Sequence, residues 1–155
     1  MRPYTLMALA GILLCSCGPK IIFEEKRDVP QPWKYSDTLT FEYEVADITR
    51  PYNLSVKVSH ENDFAFENLY VNVTTIFPDK TSASSPLSLE LSGEDGSWEG
   101  ACSGKTCTAE LMMSQDAYFK TAGRYILKVG QFSRQDSLPG IVSMTLVLTE
   151  SSKKQ

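Results

Sequence analysis

Apolar and polar side chains alternate along most of the chain. The segments that place an apolar side chain at every second position are 39–45, 52–58, 69–73, 87–91, 125–129 and 142–148. This period of two puts one set of side chains on each face of an extended strand and predicts strands with one buried face. No stretch carries the 3.6-residue period of a long helix, and no internal repeat occurs. The pattern therefore predicts an all-β protein.

Turn residues separate these segments. Pro51 precedes one strand, Pro78 ends another, and glycines at 93 and 96 mark a turn. Residues 108–120 are ambiguous, because they fit a strand near 109–113 or a short helical turn near 114–119. Parallel strands would need crossover helices, which the pattern lacks. We therefore predict an antiparallel two-sheet β-sandwich, immunoglobulin-like or jelly-roll-like, with seven to eight strands.

The chain begins with a short apolar run, residues 6–14, that carries no charge. A membrane-spanning helix needs about 20 apolar residues, so the run suits the core of a signal peptide. It ends in Leu14-Cys15-Ser16-Cys17, which resembles the bacterial lipobox: an apolar residue lies three positions before Cys17 and a small one directly before it. We predict that residues 1–16 are removed and that Cys17 carries fatty chains such as palmitate. The alternative is a plain secretory signal or an uncleaved anchor.

The rest of the chain is divided by composition. Residues 17–32 contain the charged run Glu24–Asp28 followed by prolines at 30 and 32, and we interpret them as a lipidated tether with an extended reach of about 40 to 50 Å. Residues 33–150 are long enough for one domain with a core. Residues 151–155 form a polar tail.

The charge balance excludes one class of partner. The chain has 15 basic and 19 acidic residues, a net charge of −4 that becomes −5 when Arg2 leaves with the signal peptide. The basic residues are not clustered. A nucleic-acid surface is therefore not expected.

Two cysteines remain once Cys15 is discarded and Cys17 is lipidated. Cys102 and Cys107 bracket a four-residue segment that contains a glycine. Outside the inner membrane, such a close pair favours a disulfide over free thiols. A metal site would need more nitrogen or sulfur ligands than the chain offers.

Candidate catalytic groups are few. His60, the only histidine, follows a strand, and we interpret it as a solvated loop residue because no nucleophile motif accompanies it. Glu94 and Asp95 lie in a glycine turn without the spacing of a calcium loop. The sequence predicts no catalytic residue, no metal, no cofactor and no small-molecule substrate.

Four aromatic residues, Phe64, Phe66, Tyr70 and Trp98, lie near predicted strand ends. We interpret them first as core or rim packing. Contact with another protein and stacking against a glycan are the alternatives.

The order of motifs resembles a known family. In sequence these are WKY at 33, DTLTFEYEVAD at 37, YNLSVKV at 52, FENLYVNV at 66, DGSWEG at 95, AGRYILKVGQF at 122 and RQDSLPGIVSMTLVL at 134. Together they resemble the GldH family of gliding-motility lipoproteins from Bacteroidetes-type bacteria. The chain departs from the family at Ser133, where a methionine is common, and at the Cys102–Cys107 loop.

The resemblance implies an accessory lipoprotein of the gliding apparatus, coupled to the type IX secretion machinery and acting through protein contacts without catalysis. We expect the partner to touch the turn between the last two long strands and the tryptophan of the glycine-rich loop, at Gln131, Arg134, Leu138, Gly140 and Trp98. The alternative for Arg134 is an internal salt bridge. The rival function is a lipid-anchored glycan-binding module that uses Trp98.

Two further expectations concern the cell envelope. Asp37-Thr38-Leu39 and Asp136-Ser137-Leu138 resemble the O-glycosylation acceptor motif of the same bacterial group, which makes Ser137 and Thr38 candidate modification sites. Gly18-Pro19-Lys20 lacks the acidic run that would suggest export to the cell surface. We therefore expect an anchor in the outer membrane, facing the periplasm.

Overall fold

The computed structural model describes residues 18–153. The predicted signal peptide, Cys17 and the last two residues lie outside the described residues. Eleven strands occur in the described part: β1 Ile21–Asp28, β2 Trp33–Lys34, β3 Thr38–Val45, β4 Tyr52–Glu61, β5 Asn68–Ile76, β6 Ser82–Glu90, β7 Ala101–Ser103, β8 Thr106–Ala117, β9 Gly123–Gln131, β10 Ser137–Leu138 and β11 Ile141–Glu150. Residues 18–153 contain no helix, so none of them forms one that is long and apolar enough to cross a membrane.

The strands form two antiparallel sheets. One has five strands in the order β1-β11-β4-β8-β7, and the other has four in the order β3-β9-β5-β6. The short strands β2 and β10 pair only with each other. The predicted antiparallel sandwich is confirmed, with more strands than the predicted seven to eight.

The core lies between the sheets because the central long strands bury alternate side chains. In β3, every second residue from Leu39 to Val45 is buried. Phe41 and Leu127 of the four-stranded sheet face the same core as Val58 and Met144 of the five-stranded sheet, each at most 2% exposed. Trp33 closes this core with 0% exposure, and its indole NH donates to the carbonyl oxygen of Asp37 at 3.0 Å.

Residues 21–28, which the sequence analysis assigned to a tether, form edge strand β1 instead. This strand pairs with β11 over its whole length. Phe23 is half-buried and its ring lies 5.7 Å from that of Tyr43. The charged side chains that suggested a tether face solvent, as is usual for an edge strand, and Glu24 forms an ion pair with Lys57 at 2.8 Å. The tether prediction is therefore wrong for this segment.

The structure also decides between a strand and a helical turn in region 108–120, because most of it pairs with β4 as a strand. β8 extends to Ala117 and pairs with β4 through two register shifts near Leu54. These irregularities break the simple alternation, which explains why the period alone left a helical turn open.

The sandwich has two distinct ends. The first and last described residues lie together, since the Glu150 amide donates to the Lys20 carbonyl at 2.9 Å. We call this the proximal end; it includes the loops 46–51, 77–81 and 118–122. The opposite, distal end carries the loops 62–67, 91–100 and 132–140.

Candidate functional site

A groove of about 550 Å³ opens at the distal end, between the start of β5 and the loop after β9. We call it the distal groove. Its lining residues are Phe66, Asn68, Leu69, Tyr70, Phe132, Ser133, Arg134, Gln135 and Leu138. Leu69 and Leu138 are each 1% exposed, whereas Phe66, Tyr70 and Phe132 are 38, 47 and 53% exposed. Three large rings thus border the groove in contact with solvent.

Arg134 lies on the rim of the distal groove and is exposed. Within residues 18–153 it has no ion pair, so the internal salt bridge considered as an alternative is not found there. A guanidinium presents five donors in a planar fork that matches a carboxylate. Arg134 therefore offers a cation beside exposed aromatic rings, without an ion pair among the described residues.

Gln131 holds the loop that presents these groups. Its side chain is only 3% exposed. The amide NH2 donates to the Gln135 carbonyl at 3.0 Å, and the amide oxygen accepts from the backbone NH of Ser133 at 2.9 Å. The Phe132 NH donates to the Tyr70 carbonyl at 2.8 Å. Gln131 was predicted as a contact residue, but the structure places it beneath the surface as a support of the loop.

Leu138 and Gly140 are also internal. Leu138 pairs with Trp33 and forms part of the groove floor. Gly140 has φ +90°, and a Cβ built there would lie 2.9 Å from Cδ2 of Phe64. Both residues shape the turn, and only Arg134 among the five predicted contact residues is exposed.

Trp98 lies outside the distal groove and is half-buried. Its ring packs edge-on against His60 at 4.5 Å, and its indole NH donates to the Asn62 carbonyl at 2.9 Å. Trp98 thus packs at the rim of the core, as the first interpretation of the aromatics expected.

The interpretation of His60 as a solvated loop residue is wrong. His60 lies in β4 and is 0% exposed, with Nδ1 2.8 Å from the Glu61 carbonyl oxygen. Its Nε2 is buried without a hydrogen-bond partner within the described residues. The strand continues beyond the alternating segment and carries His60 into the core.

The remaining predicted sites lie on different strands, and Cys107 among them is buried. Cys102 and Cys107 form a disulfide between β7 and β8. Ser137 is half-buried in β10, and Thr38 is exposed at the start of β3. They do not approach a shared cavity of the described residues.

The turn that contains Glu94 and Asp95 is exposed and is stabilised by hydrogen bonds to the Asp95 carboxylate. The Asp95 carboxylate accepts hydrogen bonds from the side chain and backbone of Ser97, which lower the pKa of Asp95. No group of three or more His, Cys, Asp or Glu side chains that could hold a metal occurs between residues 18 and 153.

Among the exposed rings of the distal groove, Phe66 and Tyr70 were contacts only in the alternative interpretations of the aromatics, and Phe132 was not named, although a signal existed. Tyr70 falls between the buried Leu69 and Val71 in the alternation, so the pattern itself places its ring on the outer face. Phe132 immediately follows the inward Gln131. An aromatic residue at an outward position of a strand is the signal that would have found them.

The chain is similar to known proteins over most of its length. It is 29% identical over 140 residues to the gliding motility lipoprotein GldH of Flavobacterium johnsoniae, covering 90% of this chain and 87% of that protein. It is 25% identical over 125 residues to a GldH homolog of Christiangramia forsetii, covering 81% and 76%.

Similarity to solved structures is weak. A carbohydrate-binding module, Xyl-CBM35 in complex with a disaccharide containing glucuronic acid, is 11% identical with a TM-score of 0.33, covering 90% of this chain and 96% of that chain. Dimeric latent PorU of Porphyromonas gingivalis is 9% identical with a TM-score of 0.30, covering 86% and 14%. TM-scores this low bear on neither fold nor function. The model of the GldH lipoprotein family, in contrast, matches residues 21–147, and the chain therefore belongs to that family.

Proposed function

We propose that this protein is a lipid-anchored accessory lipoprotein of the gliding apparatus, associated with type IX secretion, that acts without catalysis by docking another envelope protein in the distal groove. The observation that carries the proposal is the cluster of exposed rings beside the exposed Arg134. Aromatic residues and arginine are enriched at protein interfaces and dominate their hot spots.

The groove indicates the chemistry of the partner. Phe66, Tyr70 and Phe132 provide an apolar surface, and Arg134 provides a cation at its edge. A matching partner segment has an apolar anchor side chain next to an exposed carboxylate, which Arg134 binds in a forked pair.

The position of the proposed lipid anchor supports the distal groove as the contact surface. Lipid on Cys17 would lie three residues before Lys20, at most about 11 Å away along the chain. The proximal end then lies at the bilayer. Strands of nine to ten residues, such as β9 and β11, span about 30 Å, so the distal groove points away from the membrane. With the anchor in the outer membrane, the groove faces the periplasm.

The test combines in-cell crosslinking with variants of the groove. Arg134→Glu and Phe132→Ala should each reduce the crosslinked neighbour at least tenfold and impair surface movement or protein secretion, while the amount of folded protein stays unchanged. The matched control is Met112→Ala, because Met112 is 56% exposed on β8. If both groove variants crosslink and secrete as the parent chain does, the docking role is refuted.

A second candidate is a glycan-binding module, because the distal groove presents three exposed rings of the kind that stack on sugars. The half-buried Trp98 is not the ring that would do so. Glycan-array binding that is lost in Tyr70→Ala and retained in Trp98→Phe would favour this function over protein docking.

A further inference from the structure

A second cavity, of about 490 Å³, lies between the two sheets at the proximal end. It has the size of small-molecule sites, which range from about 300 to 1,000 Å³. Its floor is formed by Leu127 and Leu148, which are 2 and 0% exposed, and by the rings of Tyr43, Tyr52 and Tyr125. The charged residues of its lining, Asp79 and Lys120, are both exposed. The interior therefore suits an apolar ligand.

The hydroxyls of the three tyrosines in the cavity floor differ in their hydrogen bonds. The hydroxyl of Tyr125 donates to the Thr121 carbonyl and that of Tyr52 to the Asp47 carbonyl, each at 2.6 Å. The Tyr43 hydroxyl has no hydrogen bond within residues 18–153, although Tyr43 is only 5% exposed. The Tyr43 hydroxyl is not among the fully buried atoms that lack a partner in the described residues, so it remains accessible from the cavity. An acceptor oxygen on a ligand would satisfy it.

The cavity lies close to the start of the described chain. Leu148 lines the cavity and is two residues before Glu150, whose amide binds the Lys20 carbonyl. From strand spacing and rise, Lys20 lies about 8 Å from Leu148. Cys17 is three residues earlier, and a fatty chain spans half the hydrocarbon core of a bilayer, about 15 Å. A fatty chain at the proximal end is thus within reach of the cavity.

We propose that this cavity binds one fatty acyl chain and that the Tyr43 hydroxyl donates a hydrogen bond to its carbonyl or carboxylate oxygen. The inference rests on the proposed lipid anchor at the proximal end. Two sources have this chemistry: an acyl chain carried by Cys17 and an acyl chain of the surrounding membrane.

Palmitate binding to the full chain carrying Cys17→Ser, which cannot be acylated, tests the site. We expect one palmitate per chain by displacement of a fluorescent fatty acid. Thr75→Phe should abolish binding, because Thr75 lines the cavity and pairs with the inward Leu127. Thr74→Phe is the matched control, since Thr74 faces outward and its hydroxyl lies 2.9 Å from that of Ser84. It should bind as the parent does.

A second variant keeps the test decisive if Thr75→Phe fails to fold. Tyr43→Phe removes only the hydroxyl and should weaken palmitate binding about tenfold. Absence of palmitate binding by the Cys17→Ser chain would overturn the proposal, as would unchanged binding in Tyr43→Phe.

Protein purified from membranes distinguishes the two sources. If the chain on Cys17 fills the cavity, the acylated protein takes up no added palmitate; if membrane lipid fills it, the acylated protein binds palmitate as Cys17→Ser does. Intact-mass measurement of Cys17 acylation tests the anchor separately. A chain without lipid that still binds palmitate would remove the anchor and leave the acyl site in place.

Discussion

Replacing Gly140 by alanine tests how the distal turn is built. Gly140 has φ +90°, which L side chains rarely adopt, and an added Cβ would lie 2.9 Å from the ring of Phe64. Phe64 is 7% exposed, and its ring lies 5.8 Å from that of His60 and 5.6 Å from that of Phe66. Because the Phe64 ring is packed between these two rings, it leaves no free space for the methyl group of an alanine at position 140.

The expected cost has three parts. The left-handed backbone costs an alanine about 1 to 2 kcal/mol, and forcing the Phe64 ring aside costs about 1 to 3 kcal/mol, as overpacking does elsewhere. The lower entropy of the unfolded alanine chain offsets about 0.4 to 1 kcal/mol. We therefore expect Gly140→Ala to lower the free energy of unfolding by about 1 to 4.6 kcal/mol. At about 2 to 4 °C per kcal/mol, Tm should fall by about 2 to 18 °C.

Urea unfolding followed by tryptophan fluorescence measures this cost, and two other glycines separate its parts. Gly104 has φ +61° with nothing within 4 Å, so Gly104→Ala should show backbone strain alone. At Gly130, which is not among the positive-φ glycines, the nearest atom would lie 3.9 Å from an added Cβ, so Gly130→Ala should change stability little. If Gly140→Ala is no less stable than Gly104→Ala, the steric argument at Phe64 is refuted.

Three further predictions concern other parts of the sandwich. Reducing the Cys102–Cys107 disulfide, which spans five positions, should lower stability by about 2 kcal/mol from loop entropy, and an unchanged urea midpoint under reductant would contradict it. Phe23→Ala should cost about 2 kcal/mol, about half the cost at a fully buried site, whereas a tether residue would cost nothing; thermal unfolding distinguishes the two. Burial raises the pKa of Tyr43, so the unfolded state loses this proton first, near pH 10. Stability should therefore fall as pH rises above about 10, and the absorbance titration of Tyr43, isolated by comparison with Tyr43→Phe, should lag behind free tyrosine.

Five of the long strands were predictable because one face of each is buried. Alternation located β3, β4, β5, β9 and β11, and it identified part of β6 and β8. The first half of β6 is exposed on both faces and is held only by its pairing with β5, so no alternation marks it. The strands β2, β7 and β10 have two or three residues, which is too short for a period to be seen.

The candidate site was predictable in position but not in detail. The segment 131–140 does border the distal groove, yet the sequence could not tell which side chains point outward. Gln131 continues the alternation of inward side chains in β9 and is buried. Burial of this polar side chain is tolerated because its amide forms hydrogen bonds with the backbone of the following loop. A polar residue at an inward position of a strand is more often a support of this kind than a contact.

The misassigned segment 21–28 changes how far the domain stands from its proposed anchor. A tether formed by residues 17–32 would let the sandwich move about 40 to 50 Å from the bilayer. With β1 beginning at Ile21 and paired to β11, only three residues separate Cys17 from the sheet. Lipid on Cys17 would then hold the proximal end, with its acyl-sized cavity, against the membrane and keep the distal groove about 30 Å farther out. The charged run Glu24–Asp28 thus restricts the movement of the domain relative to the membrane, because its pairing with β11 makes it part of the folded sheet.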